Sequence, residues 1–502
     1  KTRLQQALAT WMAAFPVYRA YPDATGGSPE DAAHFATALA RARSYRPDLL
    51  EELNYLDSLC RYTPSPGLSR PLPAPGAATD HDPARNQQLT FLTRLMQFTG
   101  PLAAKGIEDT TFYIYNPYIA HCEVGDTPAV AGIAPEEFHR LMQHRQQKQP
   151  HSLNATTTHD TKRGEDSRLR LSVLSALPQE WITAVTHWRQ LNRPLVASVA
   201  PAAPRPPVAS VKDRPAPSPN DEYLIYQALL GGFPADGIVT DTFLQRFAGY
   251  LTKALREAGT ETNYDQPDEA YERQCQAFAA ALLKPGSAFL ETFTPFAHTI
   301  IRRAAVYSLS LLLLKLTAPG IPDIYQGAEL WEESFVDPDN RRPVDFARRI
   351  ALLDELRSTE TQGNAALFDF LHTHRDEGIE KLFTLYRTLA YRNTCPEVLS
   401  KGAYIPLEGA ESWLAFLRHH GDHWALVAVP LIRYGITRPR PLSLHLPPDA
   451  PPEWTNRFTG QAVRSGAQGE DTRVTPESPG TTLNWPDGPG DWPVILLSNS
   501  PR

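Results

Sequence analysis

"NATTTHDTKRGED", residues 154–166, sets a knot of ionisable side chains directly behind a run of small residues that a β-strand tolerates. "IPDIYQG", residues 321–327, repeats the arrangement as a short apolar strand, made imperfect by Pro322, that runs into polar and aromatic residues. Helical patterns fill the sequence between them, "EYLIYQALL" and "AHTIIRRAAVYSLSLLLLKL" being the clearest. Strands that end in chemistry and are separated by helices describe the end of an α/β barrel, because such barrels carry their site residues on loops at the C-terminal ends of the strands.

Outward from these strands the periodicity changes twice. Towards the N-terminus, "LQQALATWMAAF" places Leu4, Leu8, Trp11, Met12 and Phe15 on one side of a helix. A proline-rich loop occupies 63–83, and a further helix beyond it is expected to end near Gly100. A second proline-rich stretch, 196–220, cannot sustain a helix or a central strand, since each proline removes a backbone donor, and reads as an exposed insertion. Towards the C-terminus, "SWLAFLRHHGDHWALVAVPLI" reads as strand, turn at Gly421-Asp422, strand, and "PLSLHLP", "NRFTGQAV" and "WPVILLSN" continue the rhythm of a small all-β domain. Four regions are expected: a helical subdomain over 1–95; barrel strands and helices over 96–355 with a helical insertion at about 185–300; a helical connection over 356–410; and a β domain over 411–502.

Composition bounds the function. A net charge of −7 over 502 residues offers no basic footprint for nucleic acid and no polybasic anchor for a membrane surface, so neutral substrates are expected. The longest greasy run, Ala305–Leu316, is too short to span a bilayer. Four cysteines lie far apart without a CxxC pair, which indicates neither a zinc site nor a disulfide framework and points to a reducing cytoplasm. No cofactor and no metal are expected.

Three segments carry the candidate chemistry. His159-Asp160 combines a hydrogen-bond donor with a carboxylate that can stabilise positive charge, although spacing alone also allows a helix N-terminus with Asp160 or Thr161 as cap, Glu165 and Asp166 in its first turn, and a Leu169, Val173, Leu177 stripe. "AKGIEDTTFYIYN", 104–116, gathers Lys105, Glu108, Asp109, Tyr113 and Tyr115. Aromatic faces beside charged groups suit a polyhydroxylated ring, whose C–H faces stack while its hydroxyls need fixed partners; an ordinary helix end with an aromatic stripe is the alternative. "IPDIYQGAELWEESFVDPDNRRPVDF", 321–346, repeats the mixture with Tyr325, Gln326, Glu329, Asp337, Asp339, Arg341 and Arg342, and also suits a surface ion-pair loop.

Taken together, "THDTKRGEDSR" (158–168), "PGIPDIYQGAELW" running into "VDPDNRRPVD" (319–345), "AKGIEDTTFY", "FPVYRAY" (15–21), "KALREA" (253–258) and "YQALLGGFP" (226–234) resemble the maltooligosyltrehalose synthases of the α-amylase superfamily, in one order and over most of the chain. The resemblance implies the C-terminal part of a (β/α)8 TIM barrel with large helical insertions, followed by a small all-β sandwich domain. It implies an isomerase that moves the reducing-end α-1,4 bond of a maltooligosaccharide to an α,α-1,1 bond by intramolecular transglycosylation, and passes the product to a trehalose-releasing hydrolase. Carried over, Asp160 and His159 grip the distorted sugar as catalytic residues, while Lys105, Glu108, Asp109, Tyr113, Lys162, Arg163, Tyr325, Gln326, Asp337, Asp339 and Arg341 contact substrate. Lys105 and Lys162 would close over the released glucose. The family's nucleophile segment, of the form GxRxDHxDG, has no counterpart here, so the nucleophile and the acid/base are expected outside this chain. Ile114 and "NPYIAHCEVGD" depart from the family pattern. A hydrolytic α-amylase relative and a non-catalytic glucan-binding fragment are the alternatives.

Overall fold

The computed structural model describes residues 2–22, 27–60, 83–130, 132–199, 214–408, 412–434, 441–465, 481–485 and 492–500. Most of the proline-rich loop at 63–83, and 200–213 of the second one, lie outside the described residues. The chain divides into two compact units, Lys1–Ile114 with Glu257–Gly259, and Tyr115–Arg256 with Thr260–Arg502.

The first unit is helical: Thr2–Ala13, Pro29–Tyr45, Leu50–Cys60 and Pro83–Ala103 surround a core of Trp11, Leu39, Leu53, Leu92 and Met96. The apolar side of the first helix is the one the spacing predicts, with Trp11 buried and Leu4, Leu8, Met12 and Phe15 packed at its edge. Ser28 starts the second helix by exchanging hydrogen bonds with Asp31, which satisfies two amides that a helix start leaves without partners. The helix from Pro83 does not stop at Gly100. It passes Pro101 and widens into a π-helical turn, Ala104–Thr111, before a last α-turn at Phe112–Ile114. Two threonine hydroxyls stitch the widened turn, Thr110 Oγ1 donating to Lys105 O at 2.8 Å and Thr111 Oγ1 to Gly106 O at 2.7 Å.

In the second unit, strand β1 (Leu153–Asn154) is followed by helices Glu165–Val173 and Pro178–Asn192, then by an antiparallel ribbon of β2 (Ala197–Val199) and β3 (Arg214–Ala216). The ends of the 196–220 stretch thus do form strands, but in an isolated pair, where Pro215 is tolerated. Helices Pro219–Gly232, Asp241–Ala258, Glu269–Leu282 and Ala288–Thr317 lead to β4 (Ile321–Pro322). Strands β1 and β4 pair in parallel, Leu153 opposite Ile321 and Asn154 opposite Pro322. The ladder bonds come from Ile321 N to Ser152 O at 2.8 Å and Asp323 N to Asn154 O at 3.0 Å, so the missing N–H of Pro322 falls where the ladder asks for no donor. Gly320 makes the approach possible. Its φ is +130°, and a Cβ there would sit 2.6 Å from Asn154 Oδ1. Among the described residues the parallel sheet is these two strands alone; apart from the β2–β3 ribbon, the regular elements of the unit up to residue 400 are helices.

The C-terminal sheet begins at β5 (Ala403–Leu407), ahead of the boundary at 411 read from the sequence, because Pro406 sits on an edge strand that tolerates it. With β6 (Trp413–His420), β7 (His423–Pro430), β8 (Leu442–Leu446), β9 (Glu453–Asn456), β10 (Ala462–Arg464), β11 (Thr481–Trp485) and β12 (Ile495–Ser498) it builds a six-stranded sheet of order β10-β9-β12-β7-β6-β5 and a pair β11-β8. Alternate residues face opposite layers. Leu414, Phe416, Val427, Val429 and Leu496 pack on helices through Leu309, Leu313 and Phe383, whereas Ala415, Leu417, Leu426, Ile495 and Leu497 pack on Leu442, Leu444 and Leu483 of the β11-β8 pair. Both faces of the central strands are therefore dry.

Arg418 of β6 is fully buried and ties the sheet to the helices: it donates to Thr317 O at 2.8 Å, Leu399 O at 3.0 Å, Gly402 O at 2.9 Å and Gln146 Oε1 at 3.0 Å. Burial, together with the neighbouring Arg392 cation, pulls its guanidinium down to about 10. Arg392 itself donates to Leu316 O at 2.8 Å, so two cations meet the negative end of helix Ala288–Thr317 just before β4. Among the described residues, no helix is long and apolar enough to cross a membrane.

Candidate active site

The chain leaving β1 makes a compact turn before helix Glu165–Val173. Thr161 Oγ1 donates to Thr158 O at 2.9 Å and Asp160 N to Thr158 Oγ1 at 3.2 Å, which folds the backbone inward and turns His159 and Asp160 outward. Their side chains are 58% and 65% exposed, with His159 Nε2 3.1 Å from Asp160 Oδ2. The segment that leaves β4 meets this turn. Asn340 Nδ2 donates to His159 O at 3.0 Å, Tyr325 Oη donates to Asn340 O at 3.0 Å, and Arg341 lies 3.7 Å from Asp160 Oδ1. Gln326 is exposed beside Tyr325, whose phenol burial pushes up. His159, Asp160, Tyr325, Gln326 and Arg341 thus come from the C-terminal ends of two adjacent parallel strands, and a carboxylate with an imidazole, a guanidinium and a phenol at hand can hold the hydroxyls of a sugar and oppose a growing positive charge.

Other residues singled out from the sequence are committed to the protein itself. Arg163 is buried, and its guanidinium donates to Ile119 O at 3.0 Å and Cys122 O at 3.1 Å. Lys162 is buried too, and its amide donates to Glu123 Oε1 at 2.7 Å, while Glu123 Oε2 accepts from Arg163 N and from Arg168. Asp339 is gripped by Arg246 through two bonds of 2.8 and 2.9 Å and by Arg342 at 3.0 Å. Burial alone would raise Asp339, but the Arg246 bonds hold it below its ordinary range. Asp337 pairs with Lys253 at 2.7 Å and stands 3.9 Å from Arg341. Glu123, Arg246 and Lys253, which shape these loops, are not singled out by the sequence; "KALREA" and "HCEVGD" contain two of them, but a lone charge in a helix or loop does not announce a partner 84 residues away, as Lys253 has in Asp337.

In the first unit, Lys105 and Asp109 form an i, i+4 pair at 2.5 Å on the widened turn, Lys105 being exposed. Glu108 is buried and accepts from the Tyr18 hydroxyl, and Tyr113 is buried. π-helical turns recur at functional sites because the extra residue re-aims the side chains beyond it.

The spacing of the two strand-end segments depends on Gly164. Its amide donates to Ser334 O at 2.9 Å, and a Cβ there would stand 2.3 Å from Glu332 O, a backbone atom that cannot swing aside. Gly164→Ala is expected to destabilise the chain by about 3 kcal/mol, the upper range of overpacking. Urea unfolding checks this; an unchanged midpoint would show that the two segments separate freely.

No family model matches the chain. A curated relative from Mycobacterium tuberculosis (strain CDC 1551 / Oshkosh), named maltooligosyl trehalose synthase, is 32% identical over 438 residues, 86% of this chain and 47% of that protein. The chain therefore spans about half the length of the curated relatives it matches. The structure of maltooligosyltrehalose synthase from Arthrobacter ramosus superposes with a TM-score of 0.71 at 25% identity, covering 98% of this chain and 54% of the other. A Sulfolobus tokodaii structure described as a maltooligosyl trehalose synthase shares the fold, with a TM-score of 0.67 at 24% identity and coverage of 98% and 53%.

Proposed function

We propose that this chain, a relative of the maltooligosyl trehalose synthases along most of its length, is the C-terminal part of a glucosylmutase that turns the reducing-end α-1,4 bond of a maltooligosaccharide into an α,α-1,1 bond. The observation that carries the reading is the His159–Asp160 pair, exposed at the end of β1 and facing Arg341 and the Tyr325–Asn340 link from the end of β4. Strands β1 and β4 act as the last two strands of a (β/α)8 barrel. Asp160 holds ring hydroxyls of the distorted sugar and opposes its oxocarbenium-like charge; His159 hydrogen-bonds the same sugar. Retaining transfer also requires a nucleophilic carboxylate and an acid/base, which a longer protein supplies from outside this chain. Tyr325, Gln326 and Arg341 complete the contact surface of this unit, whereas Lys162, Arg163, Asp337 and Asp339 act by holding its loops. Lys105, Glu108, Asp109 and Tyr113 lie in the first unit, and the family resemblance alone supports them as substrate contacts. The product, a maltooligosyl trehalose, is a substrate for a hydrolase that releases trehalose.

Maltopentaose distinguishes the outcomes. The longer protein should remove reducing ends without releasing glucose, while the 502-residue chain alone should do neither. A rise in reducing ends would make the enzyme a hydrolase, and turnover by the chain alone would overturn the placement of the nucleophile elsewhere.

A further inference from the structure

Beneath the His159–Asp160 turn lie four charged side chains to which the proposed reaction assigns no role. Lys381, fully buried on helix Ile379–Thr394, donates to Glu165 Oε1 at 2.7 Å and to Asp166 Oδ2 at 2.6 Å. Lys315, buried near the end of helix Ala288–Thr317, reaches Glu165 Oε2 at 3.1 Å and Thr156 Oγ1 at 2.7 Å. The Thr156 hydroxyl in turn donates to Glu165 Oε2. Two cations and two carboxylates therefore alternate without net charge.

Burial would push Glu165 up, but Lys381 and Lys315 hold it well below the ordinary carboxylate range. The lysines differ. Lys381 faces two carboxylates and is raised in spite of its burial, while Lys315 shares one of them, feels Lys381 as a like charge, and is lowered by burial. Dry ion groups of this kind are often no more stabilising than apolar residues of the same volume, so stability is a poor reason for four of them to converge here.

What they do have in common is the backbone they touch. Thr156 and Glu165 flank the turn, and Asp166 Oδ2 accepts from Glu332 N at 2.6 Å. The segment that begins at Glu332 runs on to Asn340 and Arg341, the residues that meet His159 and Asp160. The lattice thus grips both segments a few residues from the place where they touch. We infer that Lys315, Lys381, Glu165 and Asp166 are positioning residues, a neutral ionic lattice that fixes the turn bearing His159 and Asp160 against the segment bearing Asn340 and Arg341. Its effect on rate rests on the function proposed above; its effect on the turn does not. A displacement of an ångström at such a turn is enough to lower a rate by about 10²-fold.

The double variant Lys315→Met, Glu165→Gln removes one charge of each sign, leaves Lys381 paired with Asp166, and cuts the bond from Lys315 to Thr156. In this chain, amide exchange at Thr158 to Thr161 should rise at least about tenfold while β6 and β7 exchange as before. In the longer protein, kcat on maltopentaose should fall roughly 10- to 100-fold with KM within about threefold. Thr156→Val should move both readouts in the same direction, and Thr156→Ser should restore them. Uniform faster exchange, or an unmoved kcat in a folded variant, would reduce the lattice to a stabilising core and overturn the inference. A wild-type longer protein that makes no non-reducing product would overturn the transfer reading alone, because local exchange at the turn still decides the lattice.

Discussion

Asp160→Asn in the longer protein is expected to lower maltopentaose turnover by at least about 10³-fold, the scale of losing one preorganised electrostatic group where charge develops. Asparagine keeps the shape and one acceptor oxygen, but it cannot oppose the positive charge of an oxocarbenium-like transition state. The fold should not notice the exchange. Asp160 is two-thirds exposed, and its neighbours His159 and Arg341 are about half exposed, so the unfolding free energy in urea should stay within about 0.5 kcal/mol of the parent. Loss of reducing ends over time is the measurement, and near-normal turnover would remove Asp160 from the site.

Arg418→Met should have the opposite profile, a large loss of stability whatever happens to activity. Methionine keeps much of the stem but withdraws the donors from Thr317 O, Leu399 O and Gly402 O in a site without exposure. Each unsatisfied carbonyl costs roughly 1–3 kcal/mol, and relief from burying a cation offsets part of the sum. A net loss of about 4 kcal/mol is expected from urea unfolding, at the high end for single substitutions. A change below about 1 kcal/mol would mean that water reaches the carbonyls once the guanidinium is gone.

Periodicity carries most of the fold. The Leu4 to Phe15 stripe, the helices up to Thr317 and the β6–Gly421-Asp422–β7 hairpin repeat at periods of 3.6 and 2, and they stand where those periods put them. Strand β4 is legible despite Pro322, because the ladder bonds skip that residue. The helix runs past the end that Gly100 suggests, since one proline removes one donor and the widened turn finds new partners for its carbonyls in threonine hydroxyls. Helix Glu165–Val173 starts a few residues later than the spacing suggests: Gly164, not Asp160 or Thr161, precedes it, and its buried face centres on Asp166, Arg170 and Leu171 with Leu169 to one side.

The candidate site is legible where strand-end charge is exposed, at His159-Asp160, and illegible where charge is turned inward. Lys381 meets Asp166 across 215 residues of sequence and Lys315 meets Glu165 across 150, separations at which no local spacing hints at a pair. Arg163 and Asp339 look like substrate-facing groups in a motif, and only the tertiary fold shows that one serves backbone carbonyls and the other answers Arg246.

The central strands of the C-terminal sheet are dry on both faces, and this bears on how such a chain can be cut and recombined. A sheet whose apolar faces are covered only by its own domain bares nothing new when it is separated. Severed between Ser400 and Ala403, this one would expose Leu414, Phe416, Val427, Val429 and Leu496, and the helices would expose Leu309, Leu313 and Phe383 in return. Both halves would carry a sticky apolar surface that favours association over folding. The sheet and the helices beneath it therefore share one core, and a module boundary drawn at the change from helix to strand would cut through it.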